Sequence, residues 1–336
     1  MKEKNSVKNF FIAFFKNIKM FIFMMIFILT FIKLFGQENT LMIVCIYVGL
    51  VMFPACDTGM RKSAMFATIA FCYIGASVMA QLNTFSPWIA LPFNLLYVFV
   101  VMAITSEPTY LKMNIIMLLP FLFNQSVPVD FNGFKLRMAA TVVGTLIIIV
   151  CTYIQWRKNG YGKSDANTFV QQFKLGLKHM NTALRMTLGV SFALILATIL
   201  KSQKPLWITI VVVSLTQFTS QEMLSRIKYR IIGTILGSAF FVITFKYLLP
   251  IEFGIAVVFL FNFIGSFLDE YKYKKFINTV SAINASLILF NTDHAVMYRF
   301  IGLAFGIAIV LLLYVIEKII VKFIISRKNA NAIGES

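Results

Sequence analysis

The chain has 336 residues, 59% of them hydrophobic and 13% charged. Soluble domains run at roughly 45–50% apolar and about 25% charged, so a soluble globular fold is excluded. The net charge of +18 does not argue for nucleic acid, because Lys and Arg gather at the ends of apolar runs, where their ordinary role is to set topology.

Apolar runs close to the ~20 residues needed to cross a bilayer recur along the whole length, which predicts an all-α polytopic membrane protein. In the first half the runs fall at 18–36, 40–57, 63–83, 87–105, 110–126 and 137–156. The first is followed by further spans and by no small-residue cleavage site, so it reads as a retained helix. A polar stretch with Arg157, Lys158, Lys163, Lys174 and Lys178 follows. The second half offers 183–200, 205–220, 227–248, 251–268, 274–290 and 298–323. Together they predict about 12 transmembrane helices, or about 10 if the short segments 110–126 and 274–290 are re-entrant. The division is a first membrane repeat at 1–156, a cytoplasmic linker at 157–181, a second membrane repeat at 182–325 and a cytoplasmic tail at 326–336.

Most of the 31 Lys and Arg residues fall on one side of such a layout. That side holds the N-terminal arm, Arg61 and Lys62, Lys112, the linker, Arg226 to Arg230, Lys272 to Lys275 and the tail. The excess of basic residues predicts that both termini are cytoplasmic, in the cell membrane. The halves also read as one unit written twice. At a single spacing Gly75 aligns with Gly237, Lys112 with Lys274, Arg137 with Arg299 and Gly144 with Gly306. An even number of spans per half gives two tandem, parallel-oriented six-helix repeats, related by an axis along the membrane normal.

No catalytic set is visible, and neither a nucleotide nor a phosphate-loop motif is present. No cofactor is expected. His179 and His294 lie in loops without a ligand at metal spacing, so no metal is expected either. Cys45, Cys56, Cys72 and Cys151 include no C-x-x-C pair and read as small buried apolar residues. The informative groups are basic residues bordering apolar helices: Arg230, Arg137, Arg299, Lys112 and Lys274. Two readings stand for them: a duplicated ring of cationic helix mouths that attracts carboxylates, or anchoring to lipid headgroups. Arg137 and Arg299 fall on the side poor in charge, where topology asks for no Arg. Asp57, after the break at Pro54, is the candidate for proton coupling. Glu107, Asp130, Glu222, Asp269, Glu270 and Asp293 lie at helix ends, where they serve as caps or ion pairs. Polar groups at Gln217, Asn124, Gln125, Ser126, Asn284, Ser286 and Asn291 either line a path or hold helices together.

Arg226 to Phe245 is a basic cluster that feeds into a membrane-length helix. Gly233 and Gly237 have the small-xxx-small spacing that lets helices approach closely. Together with Pro205-Leu206-Trp207-Ile208-Thr209 and a span ending in Gln217, the run Arg230-x-x-Gly233-Thr234-x-x-Gly237 resembles the fusaric acid resistance protein and aromatic acid exporter superfamily. The first half lacks that signature, with Thr68 and Phe71 at the matching places and Gly75 alone retained. The resemblance implies proton-driven export of small organic, often aromatic, carboxylates, in some members with a periplasmic adaptor. It implies roles for Arg230, Gly233, Thr234, Gly237 and Trp207. The expected partners are the lipid bilayer, a small organic anion, an adaptor and further copies of the chain. Three functions remain: a secondary-active exporter, a passive organic-anion channel, and a non-transporting scaffold of an envelope complex.

Overall fold

The fold is taken from a computed structural model that describes residues 2–334, apart from 203, 266, 269 and 288–291. Asp269, Asn291 and the end of the 274–290 segment therefore lie outside the described residues. The first half consists of α1 (Lys2–Phe35), α2 (Thr40–Met52), α3 (Lys62–Phe85), α4 (Pro87–Thr105), α5 (Met113–Ser126) and α6 (Phe131–Asn159). The second consists of α7 (Phe169–Gly176), α8 (Met180–Ile199), α9 (Pro205–Leu215), α10 (Ser220–Ile243), α11 (Gly254–Gly265), α12 (Tyr271–Ser286) and α13 (Thr292–Gly334).

Local chemistry sets the helix ends. Ser86 caps α4 ahead of Pro87, whose missing N–H costs nothing at the first helical position. Asp130 caps α6, accepting from the Gly133 amide at 2.7 Å, and Gly160 closes it in the left-handed region at φ 72°. Thr168 and Gln171 form a capping box at α7.

Among the described residues, seven helical stretches are long and apolar enough to cross a membrane. They are Phe14–Phe35, Gln37–Ala55, Lys62–Phe85, Pro87–Thr105, Phe131–Asn159, Phe169–Ile199 and Thr292–Ile320. The expectation of about 12 full spans is reduced for physical reasons. The segment 110–126 is helical only at Met113–Ser126, and 205–220 only at Pro205–Leu215, because the chain turns extended at Thr216. α10 carries Arg226, Lys228 and Arg230 on one stretch, and α12 opens on Lys272, Lys274 and Lys275.

In both halves the third helix packs on the fifth, the second on the sixth, and the first on the second and sixth, with α8 counted as the first helix of the second half. The halves meet where α4 packs against α7 and α8 and where α5 packs against α9. On the other side, α1 reaches α11 through edge-on ring pairs, Phe14 with Phe263 and Phe21 with Phe259, each at 5.3 Å. The stretch 157–181, expected as a linker, holds α7 and is pinned down. Gly176 lies against the Ala103 carbonyl with no room for a side chain, and Arg61 donates its amide to the Asn167 carbonyl at 2.9 Å.

Buried hydroxyls in the first-half core cap backbone carbonyls, as polar atoms in a dry interior must. Tyr73 donates to the Cys45 carbonyl at 2.9 Å, Tyr97 to that of Cys72 at 2.6 Å, and the Trp156 indole to that of Phe53 at 3.0 Å.

Candidate functional site

The site is built where the chain breaks between α9 and α10. Thr219 caps α10 by accepting from the Glu222 amide, and the helix then presents Arg226, Arg230, Gly233, Thr234 and Gly237 at spacings of three and four, one row of a helical face. The broken end of α9 leaves acceptors for the first two. Arg226 donates to the Ser214 carbonyl at 3.2 Å, and Arg230 donates to the Ser214 hydroxyl. Arg230 is only 3% exposed.

The glycines bring in a further cation. A Cβ at Gly233 would lie 2.9 Å from Cβ of Lys275, and one at Gly237 the same distance from Cβ of Thr279. Their small size thus lets α12 lie against α10, which sets Lys275 beside Arg230. The Lys275 ammonium stands 4.7 Å from the Tyr271 ring centroid, and the Arg226 guanidinium stands 4.8 Å from the same ring. Arg299 enters from α13 and stacks over Trp207 at 5.4 Å, where Gly302 admits the Trp207 stem to the same helix. Trp207 also lines a cavity of about 290 Å³ with Lys204, Tyr298 and Gly302.

Arg226, Arg230, Lys275 and Arg299 act on one another electrostatically. Among the described residues, Glu222 pairs with Arg226 at 3.0 Å, and no carboxylate pairs with Arg230, Lys275 or Arg299. Among the described residues the buried hydroxyl of Ser238 has no hydrogen-bond partner, whereas that of Tyr271 meets Arg230. Buried like charges without counter-ions are costly, which makes this cluster the candidate site.

The first half shows what the same helices need for packing alone. At the matching positions, Arg226, Arg230, Lys275 and Trp207 are replaced by Ala64, Thr68, Met113 and Cys45. Arg137, which matches Arg299, bonds to the protein through each of its three guanidinium nitrogens. It donates to Asn39 at 2.9 Å, to the Asn124 carbonyl at 3.3 Å and to the Val127 carbonyl at 2.8 Å. Arg137 therefore holds the unwound end of α5 to α6.

The other expected residues fall elsewhere. Lys112 and Gln217 come together at the junction of the halves: the Lys112 ammonium pairs with Glu222 and lies 3.5 Å from the Gln217 amide oxygen. Lys112 sits there in the left-handed region, at φ 49°. Lys274 is exposed, one residue from the lysine that enters the cluster. Asp57 is exposed, accepts from the Gly59 amide at 3.0 Å, and lines a separate cavity of about 490 Å³ with Glu107, Tyr110 and Gln172. His179, read as a loop residue, pairs with Glu107 at 2.7 Å.

Lys275, Tyr271 and Ser214 were not read from the sequence. The available signal was helical phase, since Tyr271, Lys275 and Thr279 share one row and Thr279 meets Gly237.

No curated protein and no solved structure matches the chain. Residues 191–313, which contain all four cations of the cluster, match the family model described as fusaric acid resistance protein-like.

Proposed function

We propose that the chain is a secondary-active exporter of small organic carboxylates, aromatic ones among them, operating in the cell membrane with the proton gradient as its driving force. One observation carries the reading: Arg230, Lys275 and Arg299 converge in the second half without carboxylate partners among the described residues. The first half supports the same architecture with Thr68, Met113 and a self-satisfied Arg137. Packing therefore does not demand the extra cations, and anion binding does. The rings of Trp207 and Tyr271 under these cations suit an aromatic cargo.

The reading includes two tandem parallel repeats, supported by the repeated helix order and pairing, and both termini on the cytoplasmic side, where Lys and Arg concentrate. It also includes assembly of several copies, with an adaptor where a second membrane must be crossed.

The test is flux of labelled benzoate in proteoliposomes, with and without an imposed proton gradient. Accumulation against the benzoate gradient, lost in Arg230→Gln, is the expected result. Flux that only equilibrates identifies a passive channel. Absence of flux for benzoate and for aliphatic carboxylates overturns transport and leaves a scaffold.

A further inference from the structure

The cluster holds more basic groups than one carboxylate can answer. Arg226 already faces Glu222 at 3.0 Å. Arg230 donates to Ser214, which is neutral. Arg230, Lys275 and Arg299 therefore remain as three basic groups without a carboxylate partner among the described residues.

They are also arranged in two places rather than one. Arg299 is held over the Trp207 ring on the α9 and α13 side, and Lys275 over the Tyr271 ring on α12. Arg230 lies between those elements on α10, which touches both α12 and α13. A guanidinium fork takes a carboxylate through two parallel N–H donors, whereas an ammonium acts as a point charge. A monocarboxylate seated on the guanidinium side offers Lys275 no acid partner.

We infer that the site is built for dianions, small molecules with two acidic groups, one taken by the guanidinium side and the second by Lys275. This rests on the anion-site reading above and narrows its substrate class. Lys275 is then the residue that separates a dianion from a monoanion of the same frame. The first half supplies the control: Met113 occupies the matching place on α5, so an uncharged side chain of similar length fits the helix pair.

The experiment is calorimetric titration of the purified full-length chain in detergent with benzoate and with the benzenedicarboxylates phthalate and isophthalate. The wild type is expected to bind the better dicarboxylate at least about tenfold more tightly than benzoate, a difference of about 1.4 kcal/mol. Lys275→Met should bring the two within about twofold of each other by weakening the dicarboxylate alone. Lys274→Met, on the exposed neighbour, should leave the ratio unchanged. A thermal melt of Lys275→Met at or above that of the wild type shows that the fold is kept, and Lys275→Gln serves if Met does not express. A dicarboxylate that binds no tighter than benzoate, or a preference that survives Lys275→Met, overturns the inference and leaves the monoanion site standing. Failure of all three ligands to bind overturns both readings.

Discussion

Gly233 on α10 and Lys275 on α12 face each other so closely that a methyl group on the glycine would sit 2.9 Å from the lysine Cβ. The small-xxx-small spacing in α10 thus makes the contact that carries a cation into the site. Gly233→Val should push α12 away and separate Lys275 from Arg230. Overpacking of this kind costs about 1–3 kcal/mol. We expect a lower melting temperature together with loss of carboxylate binding. Gly237→Val presses on Thr279 instead and should lower stability similarly. Titration of both variants with benzoate checks this; normal binding in Gly233→Val would refute the coupling.

Trp207 carries Arg299 on its face at 5.4 Å and is 7% exposed. Cation–ring contacts are worth about 0.5–2 kcal/mol, more when desolvated. Trp207→Leu keeps most of the apolar volume and removes the ring. It should weaken carboxylate binding about tenfold, with a smaller change in melting temperature than Trp207→Ala, which also opens a cavity. Binding and melting curves for the two variants separate these terms.

Lys112, Glu222 and Arg226 form an ion-pair bridge from α5 to α10 across the junction of the halves. Burial pushes the Glu222 carboxyl up, but hydrogen bonds and charge from Lys112 and Arg226 outweigh it and hold the group below the usual carboxylate value. A depressed folded value means the stabilisation is present above the ordinary 4.5 and is lost as the pH falls through the lower folded value. The groups are about one-third exposed, so Glu222→Gln should cost about 1 kcal/mol or less at pH 7. In denaturant titrations the gap between wild type and variant should close as the medium is made more acid. A gap unchanged across that range would show that the carboxylate charge is not what the bridge uses.

Hydropathy and helical phase reached a large part of this arrangement. The helix order, the basic entry to α10 and the positions of Arg230, Gly233, Gly237 and Arg299 are legible because apolar runs, small-residue spacing and rare charges stand out in one dimension, whereas Trp207 came only with the family resemblance. The choice between Lys274 and Lys275 was not. Adjacent helical residues point about 100° apart, and only the partner helix decides which one faces inward. Arg137 was misleading for a related reason. Its sequence pattern matches that of Arg299, yet its donors end on carbonyls at Asn124 and Val127, which the unwound end of α5 exposes. Backbone acceptors leave no mark in side-chain sequence. Asp57 sits after the break at Pro54 as expected, but the break faces the cavity beside Glu107 and not the cation cluster.

The pair Arg137 and Arg230 then gives the sharpest contrast between an arginine tied to the fold and the one proposed to bind an anion. Arg137→Ala leaves the Asn39 side chain and two carbonyls without their donor, and each unmet buried group costs about 1–3 kcal/mol. We expect a marked fall in melting temperature, with unchanged carboxylate affinity in whatever fraction folds. Arg230→Ala removes one of several buried like charges and gives up the bonds to Ser214 and Tyr271. Relief of repulsion offsets that loss, so the melting temperature should stay within a few degrees of wild type or rise, while binding of benzoate disappears. Melting and titration of the two variants side by side decide the matter. If Arg230→Ala melts as low as Arg137→Ala and still binds benzoate, the cluster is a structural element and the anion site lies elsewhere.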